Sequence, residues 1–320
     1  MDTRFSQHVV EAFGSACEAL ARAGERLALF PEPALLTAQI RTREMEALAW
    51  LEGESFNPDQ LAVDYGYSPR AWRRWPFTFV LTFDRPLEWH SESPAESIRS
   101  WLEAEIPIGE ESPLHAAPEI ADVRLDAWLR HSARASLLPS LIASADIAAS
   151  FARSSPLDRG NIVMGAMLGD RFGIRNGKLS AGGIAALGLY RNRTPWRSLL
   201  TGATEGDLDE LSERARDERC RIAWLNGIAA GAAAVLGLDQ RLRLWHAKLD
   251  DECARRRKSS HLRALVLLAG AGTSLTVARA ADALRLSRQA TTRLVAEACE
   301  VNLLREITHG NAFRRYVISV

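Results

Sequence analysis

Arg288, Gln289 and Thr292 bring a guanidinium, a carboxamide and a methyl-bearing hydroxyl into one five-residue window of the stretch ARAADALRLSRQATTRLV, Ala278 to Val295. Those side chains match base edges in a DNA major groove: Arg pairs with guanine, Gln with adenine, and Thr meets a thymine methyl. Such reading needs all three on one face at the N-terminal end of a helix. It also needs cations nearby to hold phosphates. Arg255, Arg256, Arg257 and Lys258 run just upstream, Arg293 follows on the same segment, and Arg305, Arg314 and Arg315 come later.

The flanking sequence builds the support this would require. Thr276 is placed to cap a helix that buries Val277, Ala280, Ala281 and Leu284, at i, i+3, i+4 and i+7. Ser287 is placed to cap a second helix that buries Thr291, Leu294, Val295 and Ala298. Only Arg285 to Ser287 separate the two, which forces the sharp crossing of a helix-turn-helix. Alternation then predicts two strands, about Leu303 to Ile307 and Phe313 to Ile318, around the turn His309-Gly310-Asn311. Helix, turn, helix and hairpin make a winged helix-turn-helix.

Charge follows the same division. From Cys253 onward there are twelve Lys/Arg against four Asp/Glu, a net of +8, so the zero total leaves −8 on the preceding residues. The acidic extreme is Glu88 to Asp126, with ten carboxylates against Arg99 and Arg124. A basic C-terminal end implies a polyanionic partner. The expected salt dependence is that of five to eight neutralised phosphates.

The rest of the chain reads mostly as helix. Apolar residues recur at three-to-four spacing over Ser6 to Leu29 and Ala34 to Leu51, broken by Phe30-Pro31-Glu32-Pro33. Trp72 to Phe83 fits either a buried strand or a loop with aromatic anchors, and Glu88 to Pro118 reads as a surface excursion. Helical pattern resumes at Ala121 to His131 and Ser136 to Phe151. A glycine-punctuated passage follows, from Gly160 to Gly183. Glu205 to Val235 and Leu238 to Arg256 then read as two helices. Trp50, Trp101, Trp128, Trp224 and Trp245 are expected to anchor the core.

Other chemistries find little support. Hydrophobic residues make up 47% of the chain, enough for a sizeable core, yet no uninterrupted apolar run approaches the length of a membrane span. The N-terminus lacks a basic, then apolar, leader pattern, which argues against secretion. Cys17, Cys220, Cys253 and Cys299 stand far apart and read as reduced thiols. No histidine pair or His/Cys/acid group has metal-ligand spacing, so neither metal nor cofactor is expected. His246, near Asp250 and Asp251, reads as a helix-surface residue. GAGTS, Gly270 to Ser274, lacks the Lys of a phosphate loop and reads as a plain connection.

SPLDRGNIVMGAML, Ser155 to Leu168, carries a resemblance. Together with LGLYRNRTPWRSLL and the basic C-terminal third, it makes the chain resemble Fic-domain proteins carrying a C-terminal winged helix. From about Ala34 onward the chain is also similar to a plasmid-associated bacterial family that joins a domain of unknown function to a C-terminal helix-turn-helix. Fic enzymes transfer AMP from ATP to a protein hydroxyl through the motif H-P-F-x-D-G-N-G-R. Its His is the base, its glycine-rich turn holds phosphate, and its Arg steadies the triphosphate. Here Pro156, Leu157, Gly160 and Asn161 keep part of the pattern, Ser155 stands in place of the His, and no Arg follows Asn161 within reach. A serine hydroxyl is no base near neutral pH, so the resemblance implies the scaffold without the reaction. Glu52-Gly53 resembles the end of the inhibitory helix of such proteins, with Leu48 in place of its Ser or Thr.

The expected fold is therefore mainly α: a Fic-like helical bundle followed by a winged helix-turn-helix with a small β-hairpin wing. The expected divisions are an N-terminal helical region with an acidic loop (1–120), a Fic-like core (121–252) and the winged helix (258–320). The expected function is sequence-specific binding of double-stranded DNA, as a transcriptional regulator without catalytic residues. The chain is expected as a homodimer in the bacterial cytoplasm, on the nucleoid when DNA-bound, and not at a membrane. A divergent AMP transferase and a protein-interaction module are the alternatives. The sequence names no small-molecule effector.

Overall fold

The computed structural model describes residues 5–53, 59, 118–135, 137–157, 160–175, 182–201, 213–256, 260–272, 274–308 and 314–320. The order is α1 Gln7–Ala28, α2 Pro33–Leu51, α3 Pro118–Ala135, α4 Ser140–Ser154, α5 Asn161–Arg175, α6 Ile184–Arg191, α7 Trp196–Thr201 and α8 Glu213–Ala254. Then come α9 Leu262–Gly270, β1 Leu275–Thr276, α10 Val277–Leu284, α11 Arg288–Glu300, β2 Leu304–Glu306 and β3 Arg315–Ile318. The expectations for Trp72 to Phe83, Glu88 to Ala117, Trp101 and the turn at His309 to Asn311 lie outside the described residues.

The chain divides into two compact units. The first takes in Met1–Glu25, Arg43–Ser55 and Arg73–Val235. Its centre is α4, where every side chain from Leu141 to Ala152 is buried, as a helix apolar on all sides requires. α5 lies directly on α4 because Gly165 and Gly169 present no side chain. A Cβ at Gly165 would fall 2.5 Å from the Ala148 carbonyl oxygen, and one at Gly169 would fall 2.7 Å from that of Ser144. α6 crosses α8 just as closely. A Cβ at Gly188 would fall 1.6 Å from the Gly227 oxygen, and one at Gly231 would fall 1.8 Å from that of Ile184.

Those contacts correct the reading of Gly160 to Gly183 as merely glycine-punctuated: α5 occupies Asn161–Arg175. Each helical glycine costs about 1 kcal/mol relative to alanine. Dispersion between closely approaching backbones offsets it. A second correction concerns α8, which is one helix where two were expected. Gly237 does not break it, since the residues on both sides pack into cores. Among the described residues, α8 alone is long and apolar enough to cross a membrane, and half of that apolar window is buried within the fold.

Aromatic anchors close the first core. Trp128 packs edge-on against Phe151 at 5.1 Å and donates its indole N–H to the Ile147 oxygen at 3.3 Å. Trp224 packs on Trp196 at 5.4 Å and donates to Ser144 Oγ at 2.9 Å. Trp50 is only half-buried, edge-on to Tyr190 with Arg193 over its ring. Asp170 is 2% exposed. Its Oδ1 accepts from the Ala185 N–H at 3.1 Å and its Oδ2 has no hydrogen-bond partner among the described residues. Burial, and next the charge of Glu44, push its carboxyl up to about 8.

The second unit takes in Arg26–Thr42, Phe56–Trp72 and Leu236–Val320, reaching further back than the expected start at 258. Leu238, Leu242, Trp245 and Leu249 form the buried stripe of the C-terminal part of α8. Asp239 is buried beside them, ion-paired with Arg26 at 3.1 Å and with Arg243 at 2.9 Å. The sheet has the order β1-β3-β2, both pairings antiparallel, with Leu275 opposite Tyr316 and Leu304 opposite Ile318. α9, β1, α10, α11 and the β2–β3 hairpin follow the element order of a winged helix-turn-helix. β1 is the one strand here that the sequence reading missed: two residues are too short to show alternation.

Candidate functional site

Both expected caps form. Thr276 Oγ1 accepts from the Arg279 N–H, and Ser287 Oγ accepts from the Ala290 N–H, each at 3.2 Å. Between α10 and α11 the chain turns at Arg285, a left-handed residue with φ of 54°, and the Leu286 N–H bonds to the Ala281 oxygen at 3.0 Å. Thr291, Val295 and Ala298 are buried and Leu294 half-buried, the inner face expected for α11. That leaves Arg288, Gln289, Thr292 and Arg293 exposed around its first two turns. The Thr292 hydroxyl donates to the Arg288 carbonyl at 2.8 Å, so its methyl is the group left for outward contact.

The structure sorts the cations in a way their sequence positions do not. Arg315 is buried at 9% exposure, donating to Ser274 Oγ at 3.1 Å, which corrects its expected place on an outer wing surface. Arg305 is held by both carboxylate oxygens of Asp59 at 2.8 Å. Arg256 is ion-paired with Glu297 of α11, and Arg255 lies 3.0 Å from Glu252. Arg314 is exposed, 3.7 Å from Glu306. Arg257 and Lys258 lie outside the described residues. Thus Arg256 and Arg305 have partners within the fold where free phosphate-holding charges were expected. Arg288 and Arg293 have none among the described residues, nor have Arg279 and Arg285, exposed cations of α10 and the turn that motif reading passed over. The helical period of α10 leaves Arg279 on its outer face, and Arg285 stands in the three-residue turn, so both were within reach of the sequence.

The second region of interest is the loop between α4 and α5. α4 ends at Ser155, a left-handed residue (φ 47°) whose hydroxyl donates to the Ala152 carbonyl at 2.9 Å. Arg124 holds the Ser155 carbonyl at 2.8 Å. Beyond Pro156, Asn161 clips the loop shut: its Oδ1 accepts from the Leu157 N–H at 2.9 Å, and its Nδ2 donates to the Leu157 oxygen at 2.8 Å. Gly160 has φ of 79°, which lets the chain enter α5 at Asn161. Asp158 and Arg159 lie outside the described residues.

At the start of α5, the Val163 N–H donates to Glu52 Oε1 at 3.1 Å, and Arg197 holds the Glu52 carbonyl at 2.8 Å. A carboxylate on the first turn of a helix is stabilised by unpaired N–H groups and by the helix dipole. The two positions after Asn161 are Ile162 and Val163, both buried, so they supply no cation. The arrangement can hold an anion. The Ser155 hydroxyl, at the position where the resemblance puts a base, is committed to a carbonyl.

Elsewhere, His246 is more buried than a surface reading allows: its side chain is 12% exposed, with Nδ1 3.2 Å from Asp250 and Nε2 3.8 Å from Glu32. Burial and then Arg263 hold its pKa below the ordinary value. No group of three His, Cys, Asp or Glu that could hold a metal occurs among the described residues.

No family model matches the chain, and no curated protein matches it. Among solved structures, the chain is similar to a Fic family protein from Desulfovibrio desulfuricans G20, with a TM-score of 0.52 and 16% identity. The match covers 98% of this chain and 97% of that one, so it takes in the C-terminal unit as well. At that identity the likeness speaks for the fold alone, and the chain has a Fic-like helical fold.

Proposed function

We propose that the protein binds double-stranded DNA through α11 and reads its sequence, as a transcriptional regulator whose Fic-like core does not transfer AMP. The observation that carries this reading is the sorting of cations. Those on α10, the turn and α11 are exposed and unpaired among the described residues, while Arg256, Arg305 and Arg315 have partners within the fold. Arg288 and Gln289 stand in the first turn of a capped helix, where side chains reach base edges, and Thr292 brings a methyl alongside. Arg279, Arg285 and Arg293 flank them for phosphates. Binding to two half-sites as a homodimer would supply the specificity that one helix lacks.

The test is fluorescence anisotropy with a duplex selected from a random pool, against a scrambled duplex, over a range of salt. With about four to six phosphates neutralised, log affinity should fall with log salt at a slope of about −3.5 to −5.5. That is shallower than the sequence alone implied, because paired arginines release fewer counterions. Equal affinity for both duplexes, or binding indifferent to salt, would remove the proposal.

A second reading concerns the core. The α5 N-terminus accepts the Glu52 carboxylate, so the same groups would suit a phosphate once Glu52 is displaced, and nucleotide binding without transfer would require that displacement.

A further inference from the structure

We infer that Arg256 and Glu297 are a positioning pair that sets how α11 presents its reading face, and that Arg256 is not a phosphate ligand. This inference rests on the proposal that α11 reads DNA. Arg256 lies two residues past the end of α8, where its own N–H bonds back to the Cys253 oxygen at 3.2 Å. Its side chain is three-quarters covered, and its guanidinium engages Glu297. Glu297 lies nine positions beyond Arg288, about half a turn round the helix, so the pair grips α11 on a flank without covering Arg288. A second tie lies just beyond the C-terminus of α11: the buried Trp245 indole N–H of α8 donates to the Leu303 oxygen at 3.1 Å, three residues past α11. Thr291, Val295 and Ala298 seat the inner face of α11, and the two ties, eleven residues apart on the α8 side, hold its C-terminal end against sliding on that seat. A guanidinium spent on Glu297 has also surrendered the charge a phosphate would need.

The two roles part cleanly in one set of measurements on the full-length chain. Anisotropy with the preferred and scrambled duplexes is read for wild type, Arg256→Ala, Glu297→Ala and the swapped pair Arg256→Glu with Glu297→Arg. A positioning pair predicts that each single variant weakens the preferred duplex about three- to five-fold, with the salt slope unchanged. The scrambled duplex should change little, and the swapped pair should recover most of the loss. A phosphate role predicts the reverse: Arg256→Ala weakens both duplexes and flattens the slope by about one unit, while Glu297→Ala frees the arginine and tightens both. Either of those results overturns the inference. Amide exchange over Arg288 to Glu300 in the free protein is measured alongside. It should quicken in each single variant and slow again in the swapped pair, and failure to do so also overturns the inference. If the wild-type chain binds no duplex, the DNA proposal fails by itself and amide exchange still decides whether the pair holds α11.

Discussion

The Glu52 carboxylate meets the Val163 backbone N–H at 3.1 Å, across 111 residues of sequence. It thereby joins the end of α2 to the first turn of α5. An acidic side chain thus occupies the position where the Asn161-clipped loop and the helix dipole would hold a phosphate. Removing it should have two separable effects. Glu52→Ala should lower stability by about 0.5–2 kcal/mol, through loss of a charged helix-terminal hydrogen bond, measured by urea denaturation. It should also let added ATP raise the thermal midpoint, which ATP leaves unchanged in the wild type. A variant with unaltered stability would show that the carboxylate is a bystander.

AMP transfer should be absent. The Ser155 hydroxyl donates to Ala152 and no cation follows Asn161 on α5's first turn. Incubation with labelled ATP, Mg²⁺ and cell extract should leave label at background. Ser155→His should not restore labelling, because a base without a charge to steady the triphosphate supplies only part of the machinery. Strong labelling by the wild type would mean the catalytic groups lie elsewhere.

Arg288 and Arg315 should differ in kind. Arg288→Ala is expected to cost about 1–3 kcal/mol on the preferred duplex and to relax preference at one base pair. Arg315 is buried against Ser274, so Arg315→Ala should lower the thermal midpoint and leave the salt slope as it was. Calorimetry and anisotropy on both variants would expose an exchange of these roles.

Asp170 should make stability fall as pH rises. Its folded carboxyl is held up to about 8, against an ordinary 3.8, mainly by burial. The folded state therefore keeps a proton that the unfolded state gives up. The stabilisation is fully present below about pH 4 and is lost progressively up to about pH 8. Asp170→Asn mimics the protonated form and should match the wild type near pH 4. Above pH 8 it should exceed it by up to about 6 kcal/mol. Parallel stability curves for the two proteins across that range would contradict the assignment.

The glycine crossings should tolerate no methyl. Gly188→Ala and Gly231→Ala each drive a Cβ to within 2 Å of a backbone oxygen, and should cost about 3 kcal/mol or more by chemical denaturation. Gly14, in α1, has nothing within 4 Å of a Cβ. Gly14→Ala should instead stabilise by about 0.4–1 kcal/mol.

What the sequence determined by itself was local. Thr276 and Ser287 are capping residues three positions before the N–H groups they accept from, so both helix starts and the three-residue turn between them were legible. The buried stripe of α11 followed from its period. That a serine and not a histidine stands at 155 was visible too, since it turns on residue type. What tertiary structure decided was partnership and depth. Glycines that look like breaks in sequence became the seats of helix crossings, because only a facing backbone shows what their missing side chains admit. Eight neighbouring cations looked alike until Glu297, Asp59 and Ser274, each brought from at least 41 positions away, claimed three of them. Glu52 found Val163 in the same manner. A formal charge is a property of one residue, whereas its availability depends on what the fold sets beside it and how much water is left there.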